Sequence, residues 1–408
     1  MNAAAFRRNF RLLWSGQFLA LAGLTVIVPL LPIYLRELGA IDTGDNRFWS
    51  GAALAAPAIS SLICAPLWGK VGDRWGRKWM VVRAMLGLGF CLALMGLVNS
   101  PWQFALCRLL QGAFGGIVDA SAAYVSTEAP EDSRGRHLGK LQSAVAAGSL
   151  LGPLFGGLAA DWIGFRPVLL LMGALTAACG LWAAVFLREH QRERQAKVQE
   201  RDVPVSQVFR ELLKHRRTRV FLLAGVLAQM GVYGLVTFFG LHVEALQRGA
   251  AHAASWVGIL QAVTWGAGIV GGMWWGQRND HSPRQMERNF FWALSFCGLS
   301  IALQAFPPSV EWLIPLRLVQ GFCFSALLPT VFQAIAQDTS STGQGVRIGA
   351  ANSTLVTGQI LGSCIGPLAG GSLDAQGGFV VMGGLFLLGA LAVAVPLRVT
   401  IWQARLKR

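Results

Sequence analysis

Apolar residues in this chain run in stretches of about twenty or more between short polar segments, without the strict alternation of half-buried strands. Such a stretch crosses about 30 Å of hydrocarbon as a helix, because lipid offers no partner to backbone groups left open by another conformation. Twelve stretches are predicted as spans. In the first half they fall at about 12–35, 50–70, 79–98, 102–125, 138–161 and 165–187. In the second half they fall at about 219–243, 254–276, 289–306, 311–335, 347–373 and 379–401. The longest polar stretch, 188–218, holds nine Lys and Arg and five acidic residues and joins a first six-helix bundle (1–187) to a second (219–408). The first span is too long and too late for a cleaved signal peptide. The pattern predicts an all-α membrane protein with twelve transmembrane helices in two bundles.

Composition agrees. Of 408 residues, 54% are hydrophobic and 13% charged, about half the charge of an average soluble domain. That excludes most water-soluble enzymes. The chain has 49 Gly, 15 Trp, 23 Phe and 3 Tyr; small residues let helices approach in lipid, and indoles sit at the interface. The net charge of +15 is spread between apolar runs and forms no single patch for nucleic acid. With both termini cytoplasmic, 29 Lys and Arg fall on the cytoplasmic side, Lys70 to Arg83 counted among them, and 4 on the outer side. That asymmetry orients the chain in a cell inner (plasma) membrane. Arg108 and Arg317 remain inside spans. The seven cysteines lie within apolar runs with no C-x-x-C, and the histidines lie outside the apolar centres with no metal-ligand spacing. No metal or cofactor is expected. A phosphate-binding G-x-x-x-x-G-K-[ST] is absent, and so is an acid/base or nucleophile set. No soluble domain is present to support a receptor or scaffold.

The two halves repeat. Arg108-Leu-Leu-Gln111-Gly112 recurs as Arg317-Leu-Val-Gln320-Gly321 at an offset of 209. Gly148-x-x-x-Gly152-Pro153-x-x-Gly156-Gly157 recurs as Gly362-x-x-x-Gly366-Pro367-x-x-Gly370-Gly371 at 214. Gly135-x-x-x-Gly139 recurs as Gly345-x-x-x-Gly349 at 210, and Gly69-x-x-x-Asp73 as Gly276-x-x-x-Asp280 at 207. Two parallel six-helix repeats imply a transporter that carries a small molecule between its halves by rocking them.

The loop Gly69-Lys-Val-Gly-Asp73-Arg74-Trp-Gly76-Arg77-Lys78 resembles the signature loop of the major facilitator superfamily at every defined position. Arg108 with Gln111-Gly112 resembles its span-4 arginine motif, and Gly148 to Gly157 the span-5 motif of its antiporter branches. Pro29-x-x-Pro32-x-Tyr34 resembles the end of span 1 in the twelve-helix drug:proton antiporters. The stretch from Asn9 to Pro130 is most similar to the MdtG-type multidrug exporters. The second signature loop departs, with His281 for Arg and Pro283 for Gly. The resemblance implies export of small amphipathic molecules or drugs from the cytoplasm, coupled to proton entry. The alternative is a dedicated exporter of a self-made metabolite such as a siderophore. By the same resemblance Asp73, Arg74, Arg77 and Lys78, with Gly69 and Gly76, latch a cytoplasmic gate, and Arg108 assists proton transfer.

Physics adds further candidates. Asp119 is the one acid inside a span. Charge there is costly unless it is protonated, paired or facing a wet cavity, so Asp119 is the expected proton-carrying or cation-binding group, the alternatives being a neutral interhelical hydrogen bond or a solvated place near the cytoplasmic interface. On a continuous helix Arg108 and Asp119 share a face within ~20° and stand ~16 Å apart. The alternative for Arg108 is a structural arginine on backbone carbonyls, and Arg317, its repeat mate, is read by the same argument. Gly148, Gly152, Pro153, Gly156 and Gly157 form a small-residue face suited to close packing or bending. Gln229, Tyr233 and Thr237 recur every fourth residue on one face; with Gln261, Trp265 and Asn352 they are candidates to line a cavity, or to join helices. Expected partners are the small-molecule substrate, protons and the bilayer, the chain acting as a monomer.

Overall fold

The structure, a computed structural model, describes all residues except 1–2, 131–132, 188, 190–209, 211, 248–251, 280–282, 339–343, 373 and 407–408. Most of the expected linker, with Asp280 and His281 of the second signature loop, lies outside the described residues.

The described chain is helical and holds no strand. The first half contains α1 (Ala3–Glu37), α2 (Thr43–Trp75), α3 (Arg77–Leu97), α4 (Pro101–Ala113), α5 (Ile117–Glu128), α6 (Arg134–Ile163) and α7 (Phe165–Phe186). The second contains α8 (Arg216–Leu246), α9 (Ala253–Asn279), α10 (Pro283–Leu303), α11 (Leu313–Phe324), α12 (Leu327–Asp338), α13 (Gln344–Ser372) and α14 (Asp374–Leu406). The fourth span of each half is broken, as α4/α5 and α11/α12, so each half makes six crossings.

Among the described residues, nine stretches are long and apolar enough to cross a membrane on their own. The exceptions have local causes. α4 and α5, 13 and 12 residues long, are parted by residues 114–116, whereas α11 and α12 follow one another closely enough that Val310–Ile335 counts as one stretch. α10 carries Arg284, Glu287 and Arg288 near its start. α13 is rich in hydroxyls that bond back into its own turns: Thr354 Oγ1 donates to the Ala350 carbonyl at 2.9 Å and Ser363 Oγ to that of Gln359 at 2.8 Å. Back-bonding of this kind makes a polar helix tolerable at membrane depth.

The chain divides into two compact units, residues 1–195 with 243–262, and 196–242 with 263–408. Helices pack in lipid through van der Waals contact where side chains are small, and the repeat shows this in both units. A Cβ on Gly89 of α3 would stand 2.8 Å from the Gly173 carbonyl of α7, and one on Gly298 of α10 would stand 2.7 Å from the Gly383 carbonyl of α14. A Cβ on Gly152 of α6 would meet Thr25 Oγ1 of α1 at 2.5 Å; on Gly366 of α13 it would meet Thr237 Oγ1 of α8 at 2.6 Å. The offset of 214 between the glycine-proline motifs is therefore also a correspondence of packing partners.

Candidate functional site

The site is built on the break in the fourth span. Gly112 crosses α2 so closely that a Cβ would run into the Pro57 carbonyl and Ser60 Oγ. One residue on, the helix stops at Ala113, and the chain turns through Phe114 and Gly115 to Gly116 at φ +93°, a left-handed backbone suited to glycine. A break strands carbonyls that water would otherwise satisfy, at several kcal/mol each in hydrocarbon. Two side chains take them up. Trp68 Nε1 donates to the Ala113 carbonyl at 2.6 Å, and Arg83 Nη2 donates to that of Gly115 at 2.8 Å. The guanidinium lies 3.8 Å from the centre of the Trp68 ring. Its Nε and Nη1 are buried and find no acceptor among the described residues.

Asp119 stands in the first turn of α5 and is exposed. This corrects the sequence reading in two ways. Arg108 and Asp119 do not sit on one continuous helix, so the shared-face spacing does not apply. Nor is Asp119 engaged in an interhelical hydrogen bond: it has no partner among the described residues.

Arg108 is buried on α4. Its Nε donates to the Ala53 carbonyl of α2 at 3.0 Å and its Nη1 to Gln111 Oε1 at 2.5 Å, the geometry of a structural arginine tying two helices. Arg317, its repeat mate, is equally buried but differently held. Its guanidinium lies 3.5 Å from the centre of the Phe239 ring, its Nε has no acceptor among the described residues, and Gln320 pairs instead with Gln304 at 3.0 Å. Beside this cluster is His242, buried on α8 with its ring 4.6 Å from that of Phe379. The expectation that histidines lie outside apolar centres is overturned here.

Gly69 and Asp73 lie on α2, the side chain of Asp73 outside what is described. Arg74 is exposed, and Arg77 and Lys78, half-buried, open α3. Between the helices Gly76 takes φ +98°. The Glu189 carboxylate seats on this turn: Arg77 N–H donates to Oε1 at 2.8 Å and Lys78 N–H to Oε2 at 3.1 Å. A Cβ on Gly76 would stand 2.6 Å from that carboxylate. So a residue after α7, in a segment that reads from sequence as a bare connector, caps α3 at the signature loop.

The glycine-proline motif splits its duties along a helix that stays unbroken through Pro153. Gly148, Gly152 and Gly156 seat on α1, whereas Gly157 meets the Ala254 backbone and the Pro153 carbonyl meets Gly258, both on α9. One turn further, Asp161 accepts from the N–H of Ser255 at 2.7 Å and from its hydroxyl. Arg36 and Glu244 pair at 2.6 Å in the same unit. Neither tie was legible in the spacing of the motif.

The proposed cavity face on α8 is largely a packing face. Gln229 and Thr237 are buried against the glycines of α13, and Thr237 Oγ1 donates to the Gly234 carbonyl at 2.7 Å. Tyr233 and Gln261 are half-buried, while Trp265 and Asn352 are exposed. Among the described residues no cluster of His, Cys, Asp or Glu could hold a metal ion.

Residues 13–299 and 284–401 match the profile of the Major Facilitator Superfamily. The chain is 40% identical over 96% of its length to the Staphyloferrin B transporter of Staphylococcus aureus, covering 93% of that protein. It is 30% identical over 92% of its length to the multidrug resistance protein MdtG of Proteus mirabilis, covering 91% of it. The nucleoside transporter NupG superposes with a TM-score of 0.76 over 97% of this chain and 99% of its own, at 16% identity. A bacterial homologue of the human lysosomal transporter Spinster, in an inward-facing, unoccupied conformation, gives 0.74 at 14% over 97% and 96%.

Proposed function

Since the chain belongs to the Major Facilitator Superfamily, a family of membrane transporters rather than enzymes, we propose that it exports a small organic molecule from the cytoplasm in exchange for protons. It does so as a monomer in the inner membrane with both termini cytoplasmic. The observation that carries the cargo class is the 40% identity, over nearly the full length of both chains, to a transporter named for a siderophore. A self-made iron chelator is therefore the first cargo to test. The 30% match to MdtG favours amphipathic drugs as the second.

The charge balance at membrane depth supports an anionic chelator over a cationic dye. Arg83, Arg108 and Arg317 outnumber Asp119 there, and fixed charge of one sign favours cargo of the other. Asp119, exposed beside the broken helix, carries the proton. Arg83 positions that break, Arg108 ties α4 to α2, and Arg317 is the cation left for the cargo. Arg74, Arg77, Lys78 and Glu189 hold the signature loop, with Gly69 and Asp73 on the same turn of chain. Gly157, Asp161 and Ser255 close the opposite end of the unit.

The test is a panel of ferric-free chelators and cationic drugs added to proteoliposomes carrying an inside-acid proton gradient. Discharge by carboxylate-bearing chelators and not by the dyes is expected. Discharge by dyes alone would move the cargo to the drug class, and no discharge by any compound would reject proton exchange.

A further inference from the structure

At the signature-loop end of the first unit, the start of α1 and the end of α7 enclose a cavity of about 820 Å³. Arg7, Arg8 and Arg11 line one side, and Trp14, Trp182 and Phe186 the other. Among the described residues, no Asp or Glu lines it. Arg8 and Arg11 are exposed, and so are Trp182 (58%) and Phe186 (44%). Trp14 is fixed in place: its Nε1 donates to Ser143 Oγ at 3.1 Å and its ring stacks on Phe18 at 5.7 Å.

The juxtaposition is specific. Two exposed guanidiniums, Arg8 and Arg11, line the same opening as aromatic rings where two spans end, so charge and apolar surface meet there. A soluble anion would use the arginines and leave the rings wet. A hydrocarbon chain alone would use the rings and leave the exposed Arg8 and Arg11 without a counter-charge. A phospholipid whose headgroup is anionic satisfies both at once, the phosphate taking bidentate hydrogen bonds from arginine and the acyl chains covering indole and phenyl faces. Basic pockets at span ends are a known chemistry for such headgroups.

We infer that this cavity is a binding site for one anionic phospholipid of the leaflet bordering the signature loop. It uses none of the residues assigned above to proton or cargo, so it stands or falls separately from the export reading.

Delipidated full-length protein is titrated with phosphatidylglycerol or phosphatidylcholine and the bound lipids are counted by native mass spectrometry. The first phosphatidylglycerol should bind about tenfold or more tightly than phosphatidylcholine, since each basic side chain near a headgroup adds attraction, and the preference should fade as salt is raised. Arg8→Gln/Arg11→Gln should lose it. Arg136→Gln/Lys140→Gln, which removes as many charges from the same end of the unit, should keep it. Should the first pair yield too little protein, Trp182→Leu with bromine-labelled phosphatidylglycerol serves as the second reading. The fluorescence quenching specific to phosphatidylglycerol over phosphatidylcholine should then fall. Equal binding of the two lipids, an unchanged preference in Arg8→Gln/Arg11→Gln, or equal loss in both pairs would overturn the site.

Discussion

The broken fourth spans of the two halves are built alike and charged differently. In each, an indole from the second span of its half clamps the break: Trp68 holds the Ala113 carbonyl at 2.6 Å and Trp275 that of Phe322 at 2.9 Å. In each, a glycine lets the helix cross its neighbour at backbone contact, Gly112 against Pro57 and Gly321 against Thr264. There the likeness ends. The first break has Arg83 on its last carbonyl and Asp119 a turn beyond. An offset of 207 carries Arg83 to Phe290, buried and stacked on Phe221 at 4.9 Å, and an offset of 209 carries Asp119 to Leu328. The second break is instead closed by its own Ser325, whose hydroxyl donates to the Phe322 carbonyl at 2.8 Å. The shared indole and glycine maintain a broken helix in both halves, and the charges belong to the first break alone.

The comparison can be broken at its shared part. Gly112→Val and Gly321→Val each drive a side chain into a neighbouring backbone that cannot yield. Both should abolish folded protein, read as loss of a single peak in detergent gel filtration; survival of either would show that the crossings are looser than described. The next largest effect separates the halves. Arg83→Gln removes a charged hydrogen bond from a buried carbonyl, a loss of about 1.5–3 kcal/mol, and should lower Tm and strongly reduce transport. Phe290→Leu should cost about 1 kcal/mol of packing and leave transport near wild type. Equal transport defects would erase the distinction. At the signature loop, Glu189→Ala removes a cap worth about 1 kcal/mol, and Gly76→Ala adds backbone strain at φ +98°. Both should shift the inward/outward balance in a double electron–electron resonance distance distribution. An unchanged distribution would make the cap merely structural. The smallest effect belongs to Ser255→Ala, which keeps the N–H to Asp161 and loses only the hydroxyl. A stability loss within about 1 kcal/mol, read as a small drop in Tm, is expected, against a clearly larger drop for Asp161→Leu.

The spans, the repeat and the signature loop were legible because each rests on composition or spacing along one segment. The break was hidden for the same reason. Hydropathy runs on through Phe114, Gly115 and Gly116, and adjacent glycines in an apolar run read as a packing surface, so the 3.6-residue period was carried across a point where the helix stops. Arg83 was counted among the loop cations of the positive-inside tally, although α3 carries it beside Trp68. Glu189 lies 112 positions from the N–H it caps, and Asp161 lies 94 from Ser255; neither partnership leaves a local trace. Thr237 shows the converse error. Its fourfold spacing with Gln229 and Tyr233 is real, but the face so defined is filled by the glycines of α13, which side-chain periodicity on α8 cannot reveal.

Asp119 as the proton carrier of the charged break is tested most directly by proton flux through Asp119→Asn in proteoliposomes, with cargo added and internal pH followed by a trapped dye. Cargo-driven proton movement in the wild-type protein and none in Asp119→Asn, with equal insertion and unchanged gel-filtration behaviour, is the expected result. Undiminished proton movement in Asp119→Asn would contradict it.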